Sequence, residues 1–305
     1  MMPIAVCEVG PRDGLQNHPR HFEVAERVEL IDRLSAAGLR RIEAVSFVND
    51  QKVPRMAGAE AVLDSIRRPP GALFSGLVLN GRGVDRALGC DLQEIRLVVV
   101  ASDTFSRRNQ GASTEDTIRL AGEVARKVKS AGRRFSVVIA TAFGCPFEGR
   151  IAPEHVAGIA RRLAVMEVDE IVLADTIGAA TPFDVAALVP LVEAAAPGIP
   201  LGCHFHNTRN LGFANAYAAI GCGVRLLDSS IGGLGGCPFA PRATGNIATE
   251  DLVNMLAGRL EAPVDIGSLL TAIGWLEERI GAAVTGLLGR AGVFPPAAPL
   301  NPPSG

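Results

Sequence analysis

The feature that most constrains the fold of this chain is the alternation of short apolar runs with longer amphipathic or Ala-rich segments. The apolar runs predict strands at residues 4–9, 41–45, 73–79, 94–101, 135–141, 170–174, 201–205 and 224–228. The segments that follow them predict helices near 22–37, 55–67, 81–89, 114–131, 153–166, 182–195, 207–221 and 249–258. Such βα repetition is typical of a parallel sheet covered by helices.

The number of repeats favours one architecture. Eight βα units fit a (β/α)8 TIM barrel, a fold of roughly 250 residues. A doubly wound open sheet shares the alternation and is the alternative. One extra C-terminal helix is predicted at 265–281. We therefore expect a barrel domain over residues 1–285, followed by a Pro-rich tail, residues 286–305, that is poorly ordered.

Composition excludes several classes of partner. The chain carries 30 Lys plus Arg against 32 Asp plus Glu, and this balance provides no broad field for nucleic acid or an anionic membrane. No stretch of 18 residues lacks a charge, so no membrane span is expected. The six cysteines include no C-x-x-C pair, and the chain enters an apolar run at once without room for a targeting segment. We expect free thiols and a cytoplasmic protein.

The sharpest chemical signal is the pair His204 and His206 in the seventh predicted strand. Residues i and i+2 of a strand point to the same side, so both imidazoles should face the barrel mouth while Cys203 and Phe205 face the helices. Two imidazoles with a carboxylate from another strand end form a site for a divalent cation. Alternatively, the histidines are hydrogen-bonded core groups or proton-transfer groups.

Oxygen donors for such a site occur at other strand ends, where a (β/α)8 barrel builds its active site. Asp13 follows the first strand, and Asn246 follows the glycine-rich loop after the eighth. Because no thiolate belongs to this set, Mg²⁺ or Mn²⁺ is favoured over a structural zinc ion.

Three further charged residues stand at strand ends. Arg12 either forms a simple ion pair with Asp13 or stabilises an oxyanion, since its guanidinium stays charged and donates as a fork. Glu43 ends an apolar strand, where a buried carboxylate needs a partner such as Arg12. Asp175 is a candidate for orienting a histidine or for proton transfer.

Two loops carry candidates that the sequence leaves open. The glycine-rich segment 232–238 is either a plain connection or mobile backbone that closes over a ligand and brings the thiol of Cys237 to it. The residues after the fourth strand form a predicted basic loop that includes Arg108 and Asn109. Its charges are either solvated or placed to meet substrate phosphates.

These motifs resemble those of a known family. The run Glu8 to Asn17 (EVGPRDGLQN) is similar to the opening signature of 3-hydroxy-3-methylglutaryl-CoA lyases, which are metallolyase barrels of the DRE-TIM type. Further motifs at 144–149, 175–178, 232–240 and 245–253 follow in that family's order, so the resemblance covers about residues 4–285. Isopropylmalate and homocitrate synthases share a smaller part of the pattern and usually carry further C-terminal domains.

The resemblance implies a retro-Claisen cleavage of a 3-hydroxyacyl-CoA, which for the usual substrate yields acetyl-CoA and acetoacetate, a step of leucine degradation. It implies that Asp13, His204, His206 and Asn246 hold the cation and that Arg12 stabilises the released enolate. By the same resemblance, Cys237 transfers a proton, Glu43 positions Arg12 and the water network, and Asp175 assists proton movement. Weaker candidates for substrate or CoA contact are Ser46, Arg108 and Asn109.

The chain departs from the resemblance beside the paired histidines. The typical lyase continues Asp-Thr-Tyr-Gly, whereas residues 207–210 here read Asn-Thr-Arg-Asn. We expect Arg209 to affect which acyl tail fits, by recognising a different carboxylate or a longer group. Citramalyl-CoA is therefore an alternative substrate. The same residues are also compatible with a condensing synthase or with a noncatalytic binding or scaffold protein, and the apolar outer helices make a homodimer plausible.

Overall fold

Eight parallel strands close into a barrel in the computed structural model, which describes residues 3–236 and 245–295. The strands follow one another around the barrel in chain order, and the first also pairs with the last. They are β1 (Ala5–Glu8), β2 (Arg41–Ser46), β3 (Leu73–Val78), β4 (Glu94–Val100), β5 (Arg134–Ala140), β6 (Glu170–Asp175), β7 (Leu201–Phe205) and β8 (Leu226–Ser229). The predicted TIM barrel is confirmed, and all eight predicted strands are present.

Helices cover the outside of the barrel. They are α1 (Val24–Ala36), α2 (Ala59–Ser65), α3 (Gly81–Leu88), α4 (Asp103–Gln110), α5 (Thr114–Ser130), α6 (Pro153–Ala164), α7 (Pro182–Ala195), α8 (Gly212–Gly221), α9 (Thr249–Met255), α10 (Ile266–Ile280) and α11 (Leu288–Ala291). The predicted extra C-terminal helix corresponds to α10. Within the described part of the chain, no helix is long and apolar enough to cross a membrane.

The predicted basic loop after the fourth strand is wrong, because these residues form helix α4. The hydroxyl of Ser102 accepts a hydrogen bond from the amide of Phe105 (3.1 Å) and so satisfies a donor at the helix start. The helix is short and its residues are mostly polar, so apolar periodicity gave little signal. Its N-terminal cap was the signal that could have revealed it.

The strand register decides which side chains face the barrel interior. Cα pairing joins Cys7 to Asp228, Asp228 to His204, and His204 to Ala174, so these four side chains lie on one face of the sheet. The intervening Cys203 belongs instead to the apolar core between strands and helices. The predicted inward direction of His204 therefore agrees with the structure.

The C-terminal segment begins against the barrel. Helix α11 lies within the predicted tail, and its Leu288 is buried. The carboxylate of Asp251 in α9 accepts hydrogen bonds from the amides of Leu287 (2.9 Å) and Leu288 (2.7 Å). Residues 296–305 lie outside the described part of the chain.

Candidate active site

Three of the predicted metal ligands meet at the carboxyl ends of the strands. Asp13 lies in the helical turn Gly10–Gly14 after β1, while His204 is in β7 and His206 directly follows it. One potential ligand atom from each side chain lies within 4.8 Å of those of the other two. The imidazole centroids are 5.2 Å apart, and both histidines are buried. The convergence predicted from the sequence is thus present in the fold.

Asn246 joins this group through its side-chain amide. Its Nδ2 donates to Oδ2 of Asp13 (2.9 Å) and to the carbonyl of Leu234 (2.9 Å), which leaves Oδ1 as the remaining acceptor. Gly235, at φ +134°, permits this approach, because a Cβ there would lie 2.5 Å from Nδ2 of Asn246. Leu234 and Gly235 of the glycine-rich segment therefore pack directly against the candidate metal site.

The donor set fits a divalent cation. Among the described residues, Nδ1 of His206 and Oδ1 of Asn246 are buried with no hydrogen-bond partner. Buried polar atoms of this kind are uncommon, and lone pairs at such positions are available to a metal ion. Two imidazole nitrogens with carboxylate and amide oxygens form a mixed nitrogen and oxygen ligand set, which contains no thiolate of the kind that holds structural zinc.

The protonation states of Asp13 and His206 suit metal binding as well. Burial opposes ionisation of Asp13, but Arg12 and the two imidazoles lower its pKa to about 2, so it is a carboxylate at neutral pH. Burial and the neighbouring His204 lower the pKa of His206 to about 4, so its imidazole is neutral. An ionised carboxylate and a neutral imidazole are the forms that bind a metal ion.

Arg12 lies beside the candidate metal ligands and is hydrogen-bonded on two sides. Its Nη1 donates to Oδ1 of Asp13 (2.8 Å), and its Nε donates to Oε1 of Glu43. Burial favours the neutral form of Arg12, but these two carboxylates outweigh it and raise the pKa of the guanidinium. The predicted contact between Glu43 and Arg12 is therefore present.

Two charged residues of the centre were missed by the sequence reasoning. Asp228, at the end of β8, forms a hydrogen bond with Nδ1 of His204 (3.3 Å). Arg96, in the middle of β4, donates to both Asp228 and Glu43. The available signal for Arg96 was a charged residue with apolar neighbours on both sides within a strand, since a charge at such a position must find a partner.

Comparisons with known proteins identify the family of this chain. The sequence model of the HMGL-like family matches residues 3–275. The chain belongs to the HMGL-like family.

Individual relatives of this HMGL-like protein span nearly its whole length. The (R)-citramalyl-CoA lyase of Chloroflexus aurantiacus is 42% identical over 99% of both chains. The hydroxymethylglutaryl-CoA lyase of Pseudomonas mevalonii is 42% identical over 89% of this chain and 93% of its own. A solved HMG-CoA lyase from Acinetobacter baumannii, in complex with coenzyme A and 3-methylmalate, superimposes with a TM-score of 0.92 at 36% identity over 98% of both chains. This HMGL-like protein is accordingly a carbon–carbon lyase of the HMG-CoA lyase type.

In this HMGL-like lyase Asp175 shapes a loop rather than holding an imidazole. Its carboxylate, at the end of β6, accepts hydrogen bonds from the amides of Ala179 (2.8 Å) and Ala180 (3.0 Å). Burial raises its pKa despite these bonds. The carboxylate bonded to His204 is Asp228 instead, so Asp175 keeps only proton transfer among its predicted roles.

Arg209 contacts the same loop of the lyase. Its Nη1 donates to the carbonyls of Ile177 (3.1 Å) and Gly178 (2.7 Å). Gly178, at φ +60°, lies against Thr208, because a Cβ there would be 2.7 Å from Cβ of Thr208. Arg209 therefore ties the loop after β7 to the loop after β6, while recognition of a substrate carboxylate by Arg209 stays a prediction.

The remaining predicted contacts of this HMGL-like lyase differ in their exposure to solvent. Ser46 is buried at the end of β2, and its hydroxyl has no hydrogen-bond partner among the described residues. Arg108 and Asn109 are exposed on α4, where the guanidinium of Arg108 lies 4.2 Å from the ring centroid of Phe147. Cys237 lies outside the described residues.

Proposed function

We propose that this protein is a divalent-metal-dependent lyase that cleaves 3-hydroxy-3-methylglutaryl-CoA to acetyl-CoA and acetoacetate by a retro-Claisen reaction. The observation that carries the proposal is the meeting of Asp13, His204 and His206 beside the guanidinium of Arg12. Relatives of this chain that are named hydroxymethylglutaryl-CoA lyases support the choice of substrate.

The reaction needs a way to remove a hydroxyl proton and to accept an electron pair. When the tertiary hydroxyl loses its proton, the carbon that carries it becomes the ketone carbon of acetoacetate. At the same time, the bond from this carbon to the CH₂ group next to the thioester breaks. The electron pair of the broken bond passes into the thioester as an enolate, and a proton added to its terminal carbon gives acetyl-CoA. Groups that act on the hydroxyl, the enolate oxygen and the terminal carbon must therefore stand close together.

The first of these groups is the cation. A bound Mg²⁺ or Mn²⁺, held by Asp13, His204, His206 and Oδ1 of Asn246, would polarise the hydroxyl of the substrate and lower its pKa. The chain prepares the ligands by keeping Asp13 ionised and His206 neutral.

Arg12 is the group assigned to the enolate oxygen. Nε and Nη1 of its guanidinium are bonded to Glu43 and Asp13, which fixes the plane of the fork and leaves Nη2 for the thioester oxygen. A fixed donor aimed at developing negative charge stabilises the transition state without reorganisation. Glu43 therefore acts as the residue that positions Arg12.

Protons and substrate contacts complete the assignment. Cys237 is the proposed proton donor to the terminal carbon, and Asp175 is proposed to assist proton movement. We assign Ser46 to the substrate and Arg108 and Asn109 to CoA, whose phosphates suit the guanidinium on α4.

A second candidate substrate is (R)-citramalyl-CoA. The citramalyl-CoA lyase of Chloroflexus aurantiacus aligns with 99% of this chain, whereas the hydroxymethylglutaryl-CoA lyase of Pseudomonas mevalonii aligns with 89% of it. The same bond cleavage of citramalyl-CoA releases acetyl-CoA and pyruvate. In sequence, the two candidate substrates are weighed against the Asn-Thr-Arg-Asn run at 207–210, which stands where the typical hydroxymethylglutaryl-CoA lyase reads Asp-Thr-Tyr-Gly.

The decisive experiment is turnover against a panel of CoA esters. The purified protein is incubated with Mg²⁺ or Mn²⁺ and either 3-hydroxy-3-methylglutaryl-CoA or each enantiomer of citramalyl-CoA, and acetyl-CoA and the oxo acid are quantified by mass spectrometry. We expect acetyl-CoA with acetoacetate from the first ester and none in the presence of excess EDTA. Greater turnover of citramalyl-CoA would transfer the assignment to the second candidate.

Two further outcomes would point to a different kind of protein. Release of free CoA from acetyl-CoA plus a 2-oxo acid, with every 3-hydroxyacyl-CoA untouched, would identify a condensing synthase. A folded protein that binds no divalent cation and cleaves no ester would instead support a noncatalytic binding role.

A further inference from the structure

Arg96 is a fully buried arginine at the centre of the barrel. It is the third residue of β4, and its side chain has no exposed surface. Its Nη1 donates to Oε2 of Glu43 (2.9 Å), while Nη1 and Nη2 donate to the two carboxylate oxygens of Asp228 (both 3.1 Å). A single guanidinium therefore bridges carboxylates on β2 and β8.

Each of these carboxylates supports a different part of the active centre. Glu43 accepts from Arg12, the group assigned to the enolate oxygen. Asp228 is bonded to Nδ1 of His204, an imidazole of the candidate metal site. Arg12 also contacts Asp13, a candidate metal ligand. The contacts therefore form a ring, which leads from the metal site through Arg12 and Glu43 to Arg96 and returns through Asp228 and His204.

The carboxylates below this ring have another cationic partner. Glu94 and Glu170 lie 3.5 Å and 3.9 Å from Arg96, but Arg41 donates to both of them as well, at 3.0–3.1 Å. Glu94 and Glu170, the carboxylates of this lower layer, thus pair with Arg41 and also with Arg134. Glu43 and Asp228, the carboxylates of the upper layer, are both bonded to Arg96. The two arginines are similar in chemistry and differ in which carboxylates depend on them.

We propose that Arg96 is a positioning residue of the active centre, which holds Arg12 through Glu43 and His204 through Asp228. The inference rests on the proposed function, since it assigns His204 to the cation and Arg12 to the substrate. Lysine cannot replace Arg96 in this role, because an ammonium on a flexible stem does not reproduce a planar fork that bonds two carboxylates at fixed angles.

The test compares Arg96→Lys with Arg41→Lys, which removes the matched guanidinium from the lower layer. Binding of Mn²⁺ is titrated by electron paramagnetic resonance, and kcat and KM are measured with the preferred CoA ester. Groups that orient a metal ligand affect metal affinity by about 10- to 100-fold. We expect Arg96→Lys to weaken Mn²⁺ binding about tenfold and to lower kcat more than it raises KM. Arg41→Lys should keep both within about twofold.

The outcomes separate this inference from the proposed function. A parent protein that binds no Mn²⁺ contradicts the proposed metal site itself. A parent that binds Mn²⁺, with Arg96→Lys and Arg41→Lys alike in Mn²⁺ affinity and kcat, overturns the role of Arg96 alone. Melting curves of both variants show whether a loss of fold accounts for any difference.

A second set of variants tests the bridge if Arg96→Lys does not fold. Glu43→Gln and Asp228→Asn each weaken one side of it with little change in volume, and the double variant weakens both. Independent sites change affinity by factors that multiply to within about twofold. The Mn²⁺ affinity of the double variant is compared with the product of the two single effects, in the parent and in Arg96→Ala. A departure from the product that is present in the parent and absent in Arg96→Ala supports coupling through Arg96, and the same departure in both, or none in the parent, overturns it.

Discussion

Arg12 is the residue whose substitution tests the proposed chemistry most directly. Arg12→Lys keeps the positive charge but loses the fork that contacts Glu43 and Asp13 together. Because loss of one donor to a developing oxyanion lowers kcat by about 10²–10³-fold, we expect a decrease of that size with the preferred CoA ester. Steady-state kinetics at saturating Mg²⁺ measure it.

A second arginine near the surface provides the control for Arg12. Arg162 of α6 pairs with Glu115 of α5 (2.6 Å), and both side chains are exposed. Arg162→Lys should leave kcat unchanged within about twofold, because exposed ion pairs contribute little. A kcat for Arg12→Lys that stays within a few-fold of the parent would remove the guanidinium from the reaction.

Some residues of the site could be predicted from the sequence and others could not. The i, i+2 spacing of His204 and His206 fixed their common direction, and the position of Asp13 after a strand placed it at the same end of the barrel. Arg96 and Asp228 gave no comparable motif. Whether a charge within a strand faces the barrel interior or the helices depends on register, and its partners come from strands far away in sequence.

At the scale of the elements, the strands were easier to predict than the loops that end in the site. Long apolar runs specify strands because both faces of a parallel sheet are buried. Helix α4 and the small hairpin formed by Gly144–Cys145 and Gly149–Arg150 are short, so their hydrogen bonds rather than any periodicity define them. These connections follow the carboxyl ends of strands, where a (β/α)8 barrel builds its active site.

The buried carboxyl group of Glu8 in β1, which is hydrogen-bonded to the loop after β8, predicts that the stability of the protein depends on pH. Glu8 accepts hydrogen bonds from the amides of Gly10 (2.6 Å) and Ile231 (3.0 Å) and from the hydroxyl of Thr249 (2.6 Å). Burial nevertheless raises its pKa to about 7. The folded state therefore holds this proton more tightly than the unfolded state, so its contribution to stability is greatest below the unfolded pKa and is lost as pH rises to about 7.

Glu8→Gln removes this titration. We expect the unfolding free energy of the variant, relative to that of the parent, to rise by about 2 kcal/mol between pH 5 and pH 8. Urea denaturation at several pH values measures the difference, and Glu123→Gln at an exposed position of α5 should follow the parent curve. A constant difference between Glu8→Gln and the parent across this range would show that Glu8 does not titrate there.

The contact between the loops after β6 and β7 leads to a prediction about selectivity. Because Arg209 donates to the carbonyls of Ile177 and Gly178, we expect Arg209→Tyr to loosen the loop held by Asp175 and to lower turnover of all CoA esters by a similar factor, about three- to tenfold. Arg161→Tyr, exposed on α6, should have no such effect. A reversal of substrate preference would instead support direct recognition of a carboxylate by Arg209.

At the scale of the whole molecule, the candidate metal site brings together residues from the beginning and from the last third of the chain. Asp13 follows the first strand, whereas His204, His206 and Asn246 belong to the last third of the chain. A cation that binds all of them binds only the folded state, because unfolding separates the ligands. Metal binding should therefore stabilise the whole domain.

The size of this stabilisation follows from mass action and supplies a test that needs no substrate. At a free Mn²⁺ concentration 100 times the Kd, the folded state gains about 2.7 kcal/mol, which should raise the Tm of the parent by several degrees. Asp13→Asn should abolish most of this increase. Asp184→Asn removes a carboxylate from the capping box of α7, so we expect a lower Tm that still rises with Mn²⁺. Equal increases in the parent and Asp13→Asn would mean that the ion binds elsewhere, and the assignment of these ligands would fail.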